Sequence, residues 1–451
     1  MSAKPIVIIG GGFAGLAAGV ELSERGGAVV VLERRGHLGG RAYSFTDQQT
    51  GDVVDNGQHL FMGCYHHTIA FLKKIGCLDR LAFQDRPRVD FLDREQGYTS
   101  FDCPRLPAPL HAVAGLLRMR GLTIGDKLRV VKVGRAIQKN GKAGDSALTV
   151  KEWLAGLGQS ERIRERFWYP MAIATLNEDP QIASARMLKV VLKEAFGGGR
   201  RSTSIGIARV GLSELYTEGA AKFIESRGGK VRTSATVERL VIEGRRVVAV
   251  EMKDGERIEA SAVISAVPHS AFVKLLPDEW RGEFAAIARL RAAPIVSINL
   301  WFDRSVFDRQ FVGLIGTRSQ WLFNKNLIVK PGESSNQIAV IISAAHDFVD
   351  WTKEQLIEMA LSDLRELVPE SRDAQLVHSR IVKEREATLS HTTESDTLRP
   401  GPRTAIANLI LAGGWTATGF PDTIESAVLS GHTAADIAAA AAGNFETMEG
   451  G

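Results

Sequence analysis

The chain has 451 residues, 44% apolar and 24% charged, with 56 basic and 52 acidic side chains and a net charge of +4. That length favours two domains over a single core, the composition is that of an ordinary globular protein, and no run of about eighteen uncharged apolar residues is present to cross a bilayer. Three cysteines, Cys64, Cys77 and Cys103, form no C-x-x-C pair, which argues against a disulfide framework and a zinc site; neither a metal nor a nucleic-acid partner is expected.

The amino end passes straight from an apolar run into glycines, without the cleavage pattern of a signal peptide, so the expected location is the cytoplasm or its membrane face. Ile6 to Ile9 is a β-branched run, Gly10-Gly11-Gly12-Phe13-Ala14-Gly15 follows it as G-x-G-x-x-G, and Leu16, Ala17, Val20 and Leu22 continue with helical spacing. Strand, tight turn and helix in that order make a dinucleotide-binding unit. Gly10 allows the turn, Gly12 lets backbone amides approach a diphosphate, and Gly15 lets the helix pack on the strand, while the helix start at Phe13 and Ala14 faces the anion. A second strand, residues 28–32, ends at Glu33, where a carboxylate accepts hydrogen bonds from both hydroxyls of an adenosine ribose. Arg34 to Arg41 then forms a second glycine-rich turn, in which Gly39-Gly40 carries Arg41 back toward the same diphosphate. Two such clamps suit a large, permanently held cofactor.

These residues resemble the amino-terminal signature of the flavin-dependent amine oxidase and phytoene desaturase superfamily. The resemblance implies noncovalent FAD, held here by Gly10, Gly12, Phe13, Ala14, Gly15, Glu33, Arg34, Gly40 and Arg41. Further on, Val53 and Val54 read as a brief strand and Asp55-Asn56-Gly57 as turn chemistry that fixes Gln58 and His59 just beyond it. His59 is open to two readings: a surface loop histidine, or a ring-proximal one, because the matching Gly-x-His segment of the superfamily passes the flavin. Gly57, Gln58 and His59 are therefore candidate cofactor contacts. The string DNGQHLFMGCYHHTIAFL is similar to the squalene-associated branch of the superfamily, the hydroxysqualene dehydroxylases, and implies a polyisoprenoid substrate.

Thr68 to Ile75 suggests a helix ended by Gly76. From Leu110 to Lys142 apolar residues alternate with Arg118, Arg120, Lys127, Arg129, Lys132, Arg135, Lys139 and Lys142, and Asp126 is the one acid. Such a stretch is either a solvated helix face or an interfacial segment docked on an anionic membrane. Leu148 to Phe196 has helical spacing, opened by the capping-box pattern Thr149-Val150-Lys151-Glu152. Within it Arg166-Phe167-Trp168-Tyr169-Pro170-Met171 gathers three aromatics that serve either core or a polyene pocket. Gly197 to Arg201 breaks the pattern and marks a loop or a crossing between domains.

Leu212 to Arg227 reads as a helix, followed by strands at 230–233, 237–242, 246–252 and 257–262. In the superfamily this order returns to the FAD domain, and Val237 falls where a backbone contact to adenine is made. Buried strands are expected at 295–302 and 337–343, and a helix from Thr352 to Leu367. Asn408 to Gly431 supplies a last strand, the turn Gly413-Gly414, and a helix opened by Pro421-Asp422-Thr423-Ile424, whose first amides suit the electron-rich end of a reduced flavin. The family turn usually reads Gly-Asp, so Gly414 is a departure.

The expected fold is α/β: a doubly wound FAD-binding Rossmann-like domain from residues 1–64, 205–270 and 400–451, with a discontinuous α+β substrate domain from 65–204 and 271–399. The function the resemblance implies is reductive dehydroxylation of hydroxysqualene to squalene, with His59 and Asp422 as candidate catalytic groups that assist hydroxide departure. The alternatives are a desaturase of a carotenoid-like polyene, an amine oxidase, and a flavoprotein that only presents polyisoprenoids to a partner. No second strand-G-x-G-x-x-G unit follows the first, so the electron donor is unassigned.

Overall fold

The computed structural model describes residues 4–138, 147–329 and 335–446. Five parallel strands run in the order Lys230–Arg232, Val29–Leu32, Ile6–Ile9, Ala262–Ser265, Leu409–Leu411. Both faces of this sheet are covered, which is why its inner strands are unbroken apolar runs rather than alternating ones. Helices Phe13–Glu24, Leu212–Glu225 and Ile424–Glu446 cover one face. They come close where glycine removes a side chain: a Cβ at Gly15 would lie 1.9 Å from the Gly10 carbonyl oxygen, and one at Gly431 would lie 2.3 Å from that of Ala14. On the opposite face the cover is the antiparallel meander Val237–Glu243, Arg246–Met252, Arg257–Glu259 together with helix His269–Leu275. The Rossmann-like parallel sheet expected from the glycine motif is thus present, with a β layer where a second helical layer would lie in a fully doubly wound domain.

A second sheet has the order Leu376–Leu389, Ala292–Phe302, Gln337–Ser343, Trp321–Asn324, Phe311–Ile315, Arg88–Asp93, Gly97–Asp102. Its neighbours are antiparallel except for Phe311–Ile315 beside Arg88–Asp93. Helix Lys353–Leu367, opened by a capping box between Thr352 and Gln355, packs on one face. Helices Val150–Gly156, Tyr169–Leu176 and Ala185–Gly197 pack around Phe91, Phe101 and Ile315. The capping box read at Thr149 is present, and the helix expected from Thr352 also opens with one, not expected from the sequence. The strands at 295–302 and 337–343 are present, but the long strand Leu376–Leu389 was not foreseen: only its last residue is buried, so its apolar side chains make no run.

The basic stretch beginning at Leu110 is two helices, Leu110–Arg118 and Ile124–Gln138; Lys139 and Lys142 lie outside the described residues. Leu116, Met119 and Val133 are buried, whereas Leu110, Leu117, Ile124, Leu128 and Val131 are exposed. Asp126 is buried and accepts from the backbone and hydroxyl of Thr123, so the charge this face shows is basic. Among the described residues no helix is long and apolar enough to cross a membrane. The three thiols are free, and burial pushes Cys64 and Cys103 up to about 12, which keeps them protonated and unreactive.

Glu425, buried in the first turn of the last helix, ties that helix to His66–Lys74. Its carboxylate accepts from the backbone N–H groups of His67 (2.8 Å) and Thr68 (2.9 Å) and from the Thr68 hydroxyl (2.7 Å), replacing an N-cap that Tyr65 does not supply. Glu425→Ala leaves these donors buried and unpaired and should cost roughly 2–3 kcal/mol in urea denaturation; a loss under about 0.5 kcal/mol would show that water takes over the cap.

Candidate functional site

A chamber of about 810 Å³ opens at the carboxyl ends of the parallel strands and is walled by both sheets. Gly10, Gly12, Phe13, Ala14, Glu33, Arg34, Gly40, Arg41, Gly57, Gln58, His59, Val237, Gly413, Asp422, Thr423 and Ile424 all line it, so sixteen positions scattered along the sequence converge on one space. Two expected cofactor contacts do not reach it. Gly15 is spent on the strand–helix contact described above, and Gly414 turns its carbonyl to Arg399 (2.7 Å), its missing side chain making room for Asp422, whose Oδ1 would lie 1.9 Å from a Cβ there. Both glycines are required by packing rather than by the chamber.

The near half of the chamber fits an adenine dinucleotide. The helix Phe13–Glu24 starts at Gly12 with no side-chain cap and no acid in its first turn, which leaves its leading amides for an anion. A Cβ on Gly40 would lie 3.1 Å from the Gly12 Cα, so the two glycine turns face one another across a backbone-walled slot. Glu33 is held by the N–H groups of Gly11 (2.8 Å) and Arg35 (2.9 Å), one on each carboxylate oxygen. Beneath the second turn, the Tyr216 hydroxyl donates to the Gly39 carbonyl (2.8 Å) with that of Ala42 at 3.1 Å, and its ring stacks on Phe13 at 3.6 Å. Sequence reasoning missed Tyr216 because a helical aromatic looks like any core residue.

Arg41 crosses to Asp422 with two hydrogen bonds (2.8 and 3.1 Å) and donates to the Ala387 carbonyl (3.2 Å). Asp422 also accepts from the Leu389 N–H at 2.7 Å. Burial would raise the pKa of Asp422, but the charge and hydrogen bonds of Arg41 outweigh it and hold the carboxyl below its ordinary 3.8. Asp422 therefore stays ionised and engaged by Arg41 and Leu389, so of the two kinds of help expected of it, proton donation or hydrogen bonding, it is not set up for the first at rest. The loop that carries it is fixed by Arg399, whose guanidinium donates to the carbonyls of Gly414, Trp415, Thr416 and Phe420.

His59 is half-buried. Its Nδ1 lies 2.8 Å from the Gly57 carbonyl, and since a carbonyl can only accept, Nδ1 carries the proton. Burial pushes the imidazole below its ordinary pKa against the opposing pull of Gly57 and Asp55. The ring is thus neutral near pH 7, and its Nε2, with no protein partner among the described residues, offers a lone pair. His59 is an acceptor at rest, so of the two kinds of help expected of it, proton donation or hydrogen bonding, the geometry suits the second. Beside it, Lys325 is buried and donates to Asp55 Oδ2 (2.7 Å) and Gln58 Oε1 (2.9 Å), while Asp55 Oδ1 accepts from the Leu212 N–H (3.0 Å).

The far half is walled by Phe91, Phe101, Phe167, Met171, Val191, Phe196, Ile205, Ile295, Trp321, Phe323 and Ile341. The aromatic cluster foreseen near Phe167 divides, with Phe167 on the wall and Trp168 in the core, its Nε1 donating to Gln159. Polar side chains in this half are turned onto the protein: Thr175 and Thr203 donate to Met171 and Ala195 carbonyls, and the Asn177 amide spans Ala293, Thr388 and Ala344. Trp415 is buried with its Nε1 on the Val267 carbonyl and forms no facing aromatic pair across the chamber among the described residues.

The family model for flavin containing amine oxidoreductase matches residues 13–439. The chain is similar to the hydroxysqualene dehydroxylase of Sinorhizobium fredii, 31% identical over 96% of this chain and 98% of that protein. It is also similar to the 15-cis-phytoene desaturase of Synechococcus elongatus, 26% identical over 94% of each. A crystal structure of an oxidoreductase from Methanosarcina mazei shares the fold, with a TM-score of 0.76 at 18% identity over 96% of this chain and all of that one.

The buried ionisable groups set an acid limit. His59, His111, His269 and His432 are all lowered below 6.5, chiefly by burial, so the unfolded chain takes up protons first as pH falls. Stability should be complete above about pH 7 and decline from about pH 6.5 downward, by up to roughly 1.4 kcal/mol per pH unit for each histidine so held. A second loss should follow below pH 3.8 as Asp422 is neutralised. Melting temperatures that rise between pH 7 and 5 would contradict this assignment.

Proposed function

The chain belongs to the flavin-containing amine oxidoreductase family, and from that premise we propose that it removes the hydroxyl of hydroxysqualene reductively to give squalene. It is a flavin-dependent oxidoreductase that holds FAD without a covalent bond. In this reading residues 1–64, 205–270 and 400–451 hold the cofactor, while 65–204 and 271–399 hold the polyene. The observation that carries the substrate class is the aromatic-walled far half of the chamber, where Thr175, Asn177 and Thr203 are hydrogen-bonded to the protein and the remaining ring and aliphatic surface favours a hydrocarbon chain. The likeness to a dehydroxylase across nearly the whole chain supports the same choice.

When bound, reduced FAD would supply the hydride that replaces the hydroxyl: the C–O bond would break as the C–H bond forms, the hydroxide would leave as water with one proton taken from the medium, and a separate two-electron donor would renew the reduced cofactor. The protein's part is placement. The Gly12 and Gly40 turns, the helix start at Phe13 and Glu33 hold the dinucleotide, with Arg34 beside them; Val237 borders the adenine end, and Gly413, Thr423 and Ile424 the other. Arg41 is fixed by Asp422 at the end of the second glycine turn. The aromatic wall holds the polyene and excludes water.

One observation favours a second reading. A neutral His59 can take a proton as readily as it can accept a hydrogen bond, and a desaturase of a carotenoid-like polyene needs such a base. Photoreduced enzyme mixed with hydroxysqualene without oxygen should regain the oxidised-flavin absorbance within a single turnover, and squalene should not restore it. Failure with the alcohol, together with bleaching of the oxidised enzyme by phytoene, would transfer the assignment to desaturation.

The substrate's insolubility gives the basic helices a purpose. Among the described residues, seven of the nine exposed large apolar side chains fall between Tyr98 and Val131, interleaved with Arg118, Arg120, Arg129, Lys132 and Arg135, and the helix Leu110–Arg118 packs on Phe101 of the chamber wall through Gly115. This face docks on the inner, anionic surface of the cell membrane. The protein should cosediment with vesicles containing phosphatidylserine and be released as salt rises, and Ile124→Asp with Leu128→Asp should lower bound protein at least tenfold. Equal retention of the double variant, or equal binding to neutral vesicles at all salt concentrations, would remove the docking face.

A further inference from the structure

The reading above needs a point in the chamber that senses the one polar group of the substrate, and neither of the groups first expected there is a proton donor at rest. Gln58 and His59 are adjacent on the wall, where the chain leaves the dinucleotide half at Gly57 and enters the strand Leu60–Met62, which pairs with Ile205–Ala208 of the apolar half. Lys325 comes from the other sheet, directly after the strand Trp321–Asn324. An ammonium has donors only, so the Gln58 atom 2.9 Å from its Nζ must be the amide oxygen. The orientation of the amide follows: Oε1 points at Lys325 and the NH₂ group points away from it, with no acceptor among the described residues. On the next residue, Nδ1 is tied to Gly57, so the free atom is an acceptor.

We propose that Gln58 Nε2 and His59 Nε2 recognise the substrate hydroxyl as a donor–acceptor pair, with Lys325 as the positioning residue that decides which end of Gln58 faces the chamber. The inference rests on the dehydroxylation reading. An alcohol has one O–H to give and an oxygen that accepts, and the pair complements both at once. The hydrocarbon product satisfies neither group, so the same two atoms that hold the substrate disfavour the product and promote its release. Asp55 neutralises Lys325 at 2.7 Å, so the positioning charge adds no net charge to the apolar chamber.

The test is equilibrium binding to the oxidised holoenzyme, which has no hydride to give and leaves the alcohol intact. Hydroxysqualene and squalene are titrated against the flavin absorbance and fluorescence. Wild type should prefer the alcohol by about tenfold or more. Measured per bound FAD, Gln58→Met and His59→Leu should each bring the preference close to one. Gln58→Glu keeps an oxygen for Lys325 but loses the donor, and should do the same, which a merely structural role for Gln58 would not. Since Lys325→Met alone strands a buried carboxylate, it is combined with Asp55→Asn, and this pair should lower the preference without loss of squalene binding. An unchanged preference in both Gln58 variants at full FAD content would overturn the proposal. If wild type fails to turn over hydroxysqualene yet shows the preference and loses it in Gln58→Met, the hydroxyl pair stands and the reaction assignment falls; turnover with an unmoved preference gives the reverse.

Discussion

The Arg41–Asp422 ion pair is the join on which the site depends. Arg41 ends the second glycine turn, Asp422 opens the last helix, and both bond the strand Leu376–Leu389 through the Ala387 carbonyl and the Leu389 N–H. Arg41 thus meets two pieces of chain that lie 346 and 381 residues further on. The position is buried, so breaking either partner leaves a charge without compensation. It also explains the glycine at 414: the Asp422 carboxylate occupies the space a side chain there would need.

The same logic recurs where the amino-terminal segment lies on the second sheet. Asp47 pairs with His378 at 3.1 Å, Asp52 accepts from the Trp301 indole at 2.7 Å, and Asp55 takes Lys325. Three carboxylates in nine residues are thus used as anchors rather than as catalytic groups, and the chamber lies along the seam they close. Polar chemistry is concentrated at that seam, while the far half of the chamber is left to ring faces and aliphatic walls. The chamber has room for a charged dinucleotide at one end and a hydrocarbon chain at the other, and the two environments meet near Gln58 and His59.

Much of this was legible in the sequence because glycine has few substitutes. Gly10 and Gly12, between a strand and a helix and followed by Glu33, mark the wall of the chamber together with Gly40 of the second turn, and the cap at Thr149 is stated by four residues. The helices at 110–118 and 124–138 could be read as basic, but which apolar residues faced inward could not, since Leu116 and Leu117 are neighbours with opposite fates. Hidden as well were the residues that act through partners far away in the chain. Tyr216, Lys325 and Arg399 are ordinary letters until the fold brings a carbonyl, an amide or a carboxylate to them. The protonation of His59 and Asp422 was likewise beyond the sequence, because it is set by burial and by Arg41 rather than by local context.

What distinguishes this account from a general flavoprotein assignment is the direction of electron flow toward a polyene alcohol. The most direct measurement is the product balance of fully reduced enzyme given hydroxysqualene in the absence of oxygen. The account predicts squalene and oxidised flavin in equal amounts, one of each per active site. Oxidised flavin without squalene, or no change with the alcohol while the oxidised enzyme converts a carotenoid-like polyene into a more unsaturated product, would contradict it.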